Sequence, residues 1–114
     1  MFGINSKDSL SILLTTESSY VNAKKLAFSI LHTKYAACIS FNKIESIYWW
    51  EGEIQDSEEI QLVIKTKNKS IETLINFIQK KHSYKNPEFL FWDVKSTFDY
   101  SDWINKSIDI KDIY

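Results

Sequence analysis

Apolar positions along the chain alternate between a period of two and a period of three to four, and each change of period marks an element. Ser9 to Thr16 reads SLSILLTT, a short apolar, β-branched run that predicts a buried strand. Ser18 or Ser19 then supplies a helix cap, followed by Ala23, Leu26, Ala27, Ile30 and Leu31 at the spacing of one helical face. Lys24, Lys25 and Lys34 fall largely off that face. From Ala36 the period becomes two: Ala37, Ile39 and Phe41 alternate with Cys38, Ser40 and Asn42, and after Lys43 the strand runs on through Ile47 to Tyr48, Trp49 and Trp50. Glu51-Gly52-Glu53 reads as a turn, and Ile60, Leu62 and Ile64 alternate on a return strand. Ser70 is placed to cap a second helix carrying Ile71, Leu74, Ile75 and Ile78 on one face, with Lys80 and Lys81 at the end where the dipole favours cations. The turn Ser83 to Pro87 leads to an aromatic strand, Phe89 to Val94, and Tyr100, Trp103, Ile104 and Ser107 form a short closing helix.

The order β-α-β-β-α-β-α predicts an α+β fold of the ferredoxin-like, split βαβ kind: an antiparallel sheet backed by two helices, with a short C-terminal helix. Residues 1–114 suit one domain with one core. The central hairpin is long for such a domain. About 14 residues per strand span roughly 46 Å, whereas a compact domain of this length is about 34 Å across. An unbroken hairpin therefore overhangs its own core, and its aromatic tip, Tyr48-Trp49-Trp50, needs cover from another chain. A sharp bend at Asn42-Lys43 would remove that need.

Charge and composition narrow the function. Fourteen lysines, no arginine and fifteen acidic residues give a net charge of −1, which argues against a nucleic-acid binder that must neutralise phosphates. The two glycines, Gly3 and Gly52, are too few for a glycine-rich phosphate loop. One cysteine, Cys38, makes no internal disulfide, Met1 to Leu14 lacks the layout of a signal peptide, and no apolar run is long enough to cross a bilayer. A cytoplasmic protein that binds neither membrane nor nucleic acid is the expectation.

Several local patterns, in order, resemble the CutA family, small proteins linked to divalent-cation tolerance. They are Ala36-Ala37-Cys38, Tyr48-Trp49-Trp50-Glu51-Gly52, Lys65-Thr66, His82-Ser83-Tyr84, Pro87-Glu88 and Tyr100-Ser101-Asp102-Trp103, covering about residues 9 to 108. The resemblance implies a homotrimer whose hairpins extend across neighbouring subunits, an architecture shared with PII-type signalling proteins, and an association with copper and other divalent ions. Tyr48, Trp49 and Trp50 are then interface residues, and Glu51, Lys65, Tyr84 and Tyr100 lie near clefts between subunits. Four positions depart from the family pattern. Leu14 stands where some members carry a cysteine tied to copper, and Lys81-His82 replaces a paired His-His. Ser83 replaces the proline of a His-Pro-Tyr, and Asn42-Lys43 replaces a Pro-Gly.

The metal candidates are His82, Glu88 and Cys38. His82 and Glu88 flank a turn fixed by Pro87, and imidazole with carboxylate suits Cu²⁺ or Zn²⁺. Two ligands are too few, so a third must come from another segment or subunit. The competing reading makes His82 a helix C-cap and Glu88 a partner of a lysine. Cys38 is a soft ligand or, as free cysteines more often are, a small buried hydrophobe. His32, near the end of the first helix, reads as a surface or C-cap contact. The acidic run Glu51, Glu53, Asp56, Glu58 and Glu59 matches no EF-hand spacing and reads as a solvated loop. No nucleophile-base or paired-carboxylate arrangement marks an enzyme. The expectation is a trimeric protein of copper and divalent-cation tolerance with weak metal binding. Its alternatives are a PII-like sensor or adaptor that takes a small anionic metabolite between subunits, and a structural trimer that holds a partner protein.

Overall fold

The computed structural model describes residues 10–108; Ser9, where the sequence starts the first strand, lies outside them. Strand β1 (Leu10–Glu17) leads to helix α1 (Tyr20–Thr33), then β2 (Cys38–Trp50) and β3 (Glu53–Lys67). A single 3₁₀ turn, Asn68–Ser70, opens α2 (Ile71–Lys81), followed by β4 (Leu90–Val94) and α3 (Phe98–Ser107). The sheet order is β2-β3-β1-β4 with every neighbouring pair antiparallel. This is the expected ferredoxin-like α+β arrangement.

Alternation along the strands creates two layers. Leu13, Leu62 and Ile64 send their side chains to the face covered by α1 and α2, where they pack with Ala23, Leu26, Ile30, Leu74 and Ile78. Leu10 faces the other way and joins Ile104 and Ile108, so α3 covers one end of the second face. Among the described residues, no helix covers the rest of that face. The register places Leu14 between Val63 and Leu90, and Ile12 between Lys65 and Trp92. Leu90 and Trp92 are about half exposed, leaving an apolar row across the sheet.

Caps explain most helix ends. Ser19 Oγ accepts the Asn22 N–H at 3.1 Å and Lys34 closes α1 in the left-handed region at φ 63°. Two expectations fail here. Ser70 makes no capping bond, because the 3₁₀ turn tucks it inward and leaves its buried hydroxyl without a partner. Leu31, although at core spacing, is exposed together with Phe28, since the sheet beneath α1 is already filled by Leu26 and Ile30.

The hairpin runs without a bend. Pairing keeps one register from Cys38↔Lys65 to Trp50↔Glu53, straight through Asn42↔Gln61 and Lys43↔Ile60. The two-residue turn has Glu51 at φ 50° and Gly52 at φ 79°, the paired left-handed conformation that matches the strands' twist. β1 stops pairing at Ile60, so the segments 44–50 and 53–59 project as a two-stranded arm. The molecule is accordingly 48 Å long but only 22 Å thick. Ile47 (74% exposed), Trp49 (72%) and Trp50 (54%) sit on that arm with no second layer to bury them.

Candidate functional site

A polar cluster joins the end of β1 to the end of α2 at the root of the arm. Glu17 ends β1 with its carboxylate buried. Its Oε1 accepts the Ser18 N–H at 3.0 Å and the Ser83 hydroxyl, and its Oε2 accepts the Ser83 N–H at 3.1 Å. The His82 side chain is fully buried beside it, with Nδ1 at 3.6 Å from Oε2. His82 Nε2–H donates to the Thr16 carbonyl at 2.6 Å, and Nδ1 accepts the Tyr84 N–H at 2.9 Å. These partners fix the Nε2-protonated, neutral tautomer. His82 also terminates α2, its own N–H bonding the Ile78 carbonyl at 2.8 Å.

Both ring nitrogens of His82 are therefore occupied within the chain, and no lone pair is free for an ion. The helix-capping reading describes this histidine; a metal-ligating His82 would first have to break one of the two bonds. Cys38 opens β2 opposite Lys65, whose Nζ lies 3.9 Å from Sγ. That is four residues along β3 from Gln61, the partner of Thr16, a separation of roughly 13 Å. So the fold does not gather His82, Glu88 and Cys38 in one chain, and among the described residues no group of three or more His, Cys, Asp or Glu is disposed to hold a metal ion.

Within one chain, the residues expected near clefts between subunits lie at separate places. Tyr84 hydroxyl donates to Glu59 Oε2 at 2.9 Å, and its ring lies 5.1 Å from that of His82. Burial and the Glu59 carboxylate push the Tyr84 hydroxyl well above its usual range, so it remains a donor. Tyr84, Tyr48, Trp50, Glu59 and Glu88 line a cavity of about 750 Å³ at the arm's root. Glu88 is raised above the ordinary carboxylate value, first by burial and then by repulsion from Glu59. Lys65 and Tyr100 instead share a smaller cavity, about 340 Å³, with Lys95 and Ser96 at the other end of the sheet. Glu51 occupies the hairpin turn and lines neither.

Sequence reasoning missed Glu17, Thr16, Ser83 and Glu59 as members of this site. Only a faint signal was available for Glu17: an acid placed directly after an apolar strand, before the serines that cap α1.

A ferredoxin-like chain with a projecting arm and a buried Glu-His-Ser cluster at its root defines a narrow structural class. Residues 11–107 match the sequence model of the family described as CutA1 divalent ion tolerance protein, and the chain belongs to that family. It is 32% identical over 99 residues to the divalent-cation tolerance protein CutA of Pectobacterium atrosepticum, covering 85% of this chain and 90% of the relative. It is 37% identical over 86 residues to the chloroplastic protein CutA 1 of Oryza sativa, covering 74% of this chain and 49% of the relative. The solved structure of CutA from Synechococcus elongatus superposes with a TM-score of 0.89 at 33% identity, covering 94% of this chain and 96% of that one.

Proposed function

We propose that this chain works as a homotrimer in divalent-cation tolerance, copper included, and that it binds cations weakly instead of catalysing a reaction. The observation that carries the reading is the pairing of two unpartnered surfaces: the arm with Trp49 and Trp50 exposed, and the apolar row Ile12, Leu14, Val63, Leu90 and Trp92 on the open sheet face. A two-stranded ribbon is marginal alone, and apolar patches of this kind signal contacts between chains. Because His82 has no free nitrogen, Cu²⁺ or another divalent cation would draw on Glu88 and Cys38 of separate chains. Such pooling predicts modest affinity. A cytoplasmic location is part of this proposal, in keeping with a lone cysteine that makes no internal disulfide.

A second reading, a PII-like sensor of a small anionic metabolite, is favoured by Lys65, Lys95 and Tyr100 around one cavity. Native mass spectrometry of the metal-stripped protein, titrated first with Cu²⁺ and then with anionic metabolites, separates the two. A three-chain mass that gains a fixed number of copper ions supports the first reading. A three-chain mass that gains only the anion supports the second, and a monomer refutes both.

A further inference from the structure

The cavity at the root of the arm carries both aromatic and acidic residues on its wall. We propose that it binds a small ammonium ligand, a primary or quaternary amine, between the aromatic side chains of Tyr48, Trp50 and Tyr84 and the carboxylates of Glu59 and Glu88.

Size and lining carry this. A volume of about 750 Å³ falls in the range of small-molecule pockets and far exceeds what one metal ion fills. Three aromatic residues line its wall, and aromatic rings attract ammonium groups, which lose less on desolvation than hydrated metal ions do. The carboxylates set the sign of the charge. Glu59 has its Oε2 engaged by the Tyr84 hydroxyl, and Glu88 lines the same cavity, so a cation held there would face two carboxylates. Lys85 also lines the cavity and opposes a cationic guest. The anionic ligand expected for a cleft in this family suits the Lys65 cavity instead, and the two ends of the sheet carry opposite preferences.

The walls come from both strands of the arm (Ser46 to Trp50, and Glu59), from Thr16 of β1 and from the connection Ser83 to Glu88, which the His82–Glu17 cluster anchors. The inference goes beyond the tolerance reading, and it requires that a neighbour packed on Trp50 in a trimer leave the ring's pocket side open.

Isothermal titration calorimetry with choline, and with its uncharged isostere 3,3-dimethyl-1-butanol, tests it on the full chain. Choline should bind one per chain and the neutral isostere about tenfold or more weaker, the contribution of one charge interaction at a partly exposed site. Glu88→Gln should weaken choline by a similar factor, and Lys85→Gln should tighten it; two variants with opposite effects exclude simple damage to the fold. Equal binding of choline and the isostere, no choline binding, or wild-type choline affinity in Glu88→Gln would overturn the proposal. So would displacement of choline by equimolar Mg²⁺, which would make the pocket an inorganic cation site. Native mass recorded on the same samples reads assembly separately, so a monomer that binds choline would sink the trimer and keep the pocket.

Discussion

Trp50→Ala tests whether the arm is an interface. In the single chain Trp50 is 54% exposed, so roughly half of its side chain is already out of water against its own hairpin. A tryptophan buries up to about 250 Å² when fully covered, which leaves on the order of 135 Å² for a neighbour to cover. At about 25 cal/mol per Å² that is close to 3 kcal/mol per arm, and three arms would lose about 9 kcal/mol for each trimer. The concentration at which half the chains are assembled depends on the square root of the trimer dissociation constant, so the midpoint should rise on the order of a thousandfold. Sedimentation equilibrium across a dilution series measures this midpoint directly. The fold of the variant's single chain should stay intact, because the main core, from Leu13 to Ile78, does not include Trp50. Equal midpoints for the two proteins would show that the tip stays in water and that the overhang argument is wrong.

Glu17→Gln replaces an oxygen that accepts the Ser83 N–H or hydroxyl with an amide that donates, and should cost about 1.5–3 kcal/mol, the range for hydrogen bonds to a charged group. Urea unfolding at one fixed protein concentration checks it, and a loss below about 0.5 kcal/mol would mean the cluster is not structural. Gly52→Ala meets no atom within 4 Å, yet its φ of 79° should cost about 1–2 kcal/mol; faster hydrogen exchange in the arm, with the core unchanged, is the expected signature, and unaltered arm exchange would contradict it. Glu88→Gln should make stability less sensitive to pH. The raised folded value means ionising Glu88 disfavours the native state, so wild type and variant should match below the ordinary carboxylate range. Wild type should then fall behind as pH rises through the raised value, and parallel curves would refute the assignment.

The fold was legible because its signals are periodic. Period two through Phe41 and again to Trp50, with one glycine at the reversal, leaves little besides a long hairpin, and the strict ladder through Asn42 and Lys43 follows. The site was less legible because spacing reports which groups can meet and not which partners they already have. His82 and Glu88 are six residues apart, a plausible ligand pair, but the imidazole is consumed by the Thr16 carbonyl and the Tyr84 N–H. Those partners come from a strand more than sixty residues away and from a local turn, and neither carries a compositional mark. Ser70 fails as a cap for a comparable reason: an unannounced 3₁₀ turn rotates it inward. Lys65 and Tyr84 lie far apart within one chain because Lys65 and Glu59, the residue that Tyr84 bonds, are six residues apart on one strand, a distance of about 20 Å that residue type does not disclose.

The place of β1 in the sheet has a consequence for how the chain reaches its fold. β1 is the first strand described, yet it lies at the centre, bonded to β3 on one side and to β4 on the other, with Leu14 opposite Leu90. The hairpin β2–β3 closes a two-residue loop and can form on its own within microseconds. β1 can pair with β3 once the hairpin exists, but its other edge stays unpaired until the strand at Leu90–Val94 has been made. During that interval the arm projects from an incomplete sheet, and its charge matters most then: Glu45, Glu51, Glu53, Asp56, Glu58 and Glu59 oppose the single Lys43. Like-charged ribbons repel, which keeps exposed tryptophans on nascent chains from pairing edge to edge before the rest of the sheet arrives.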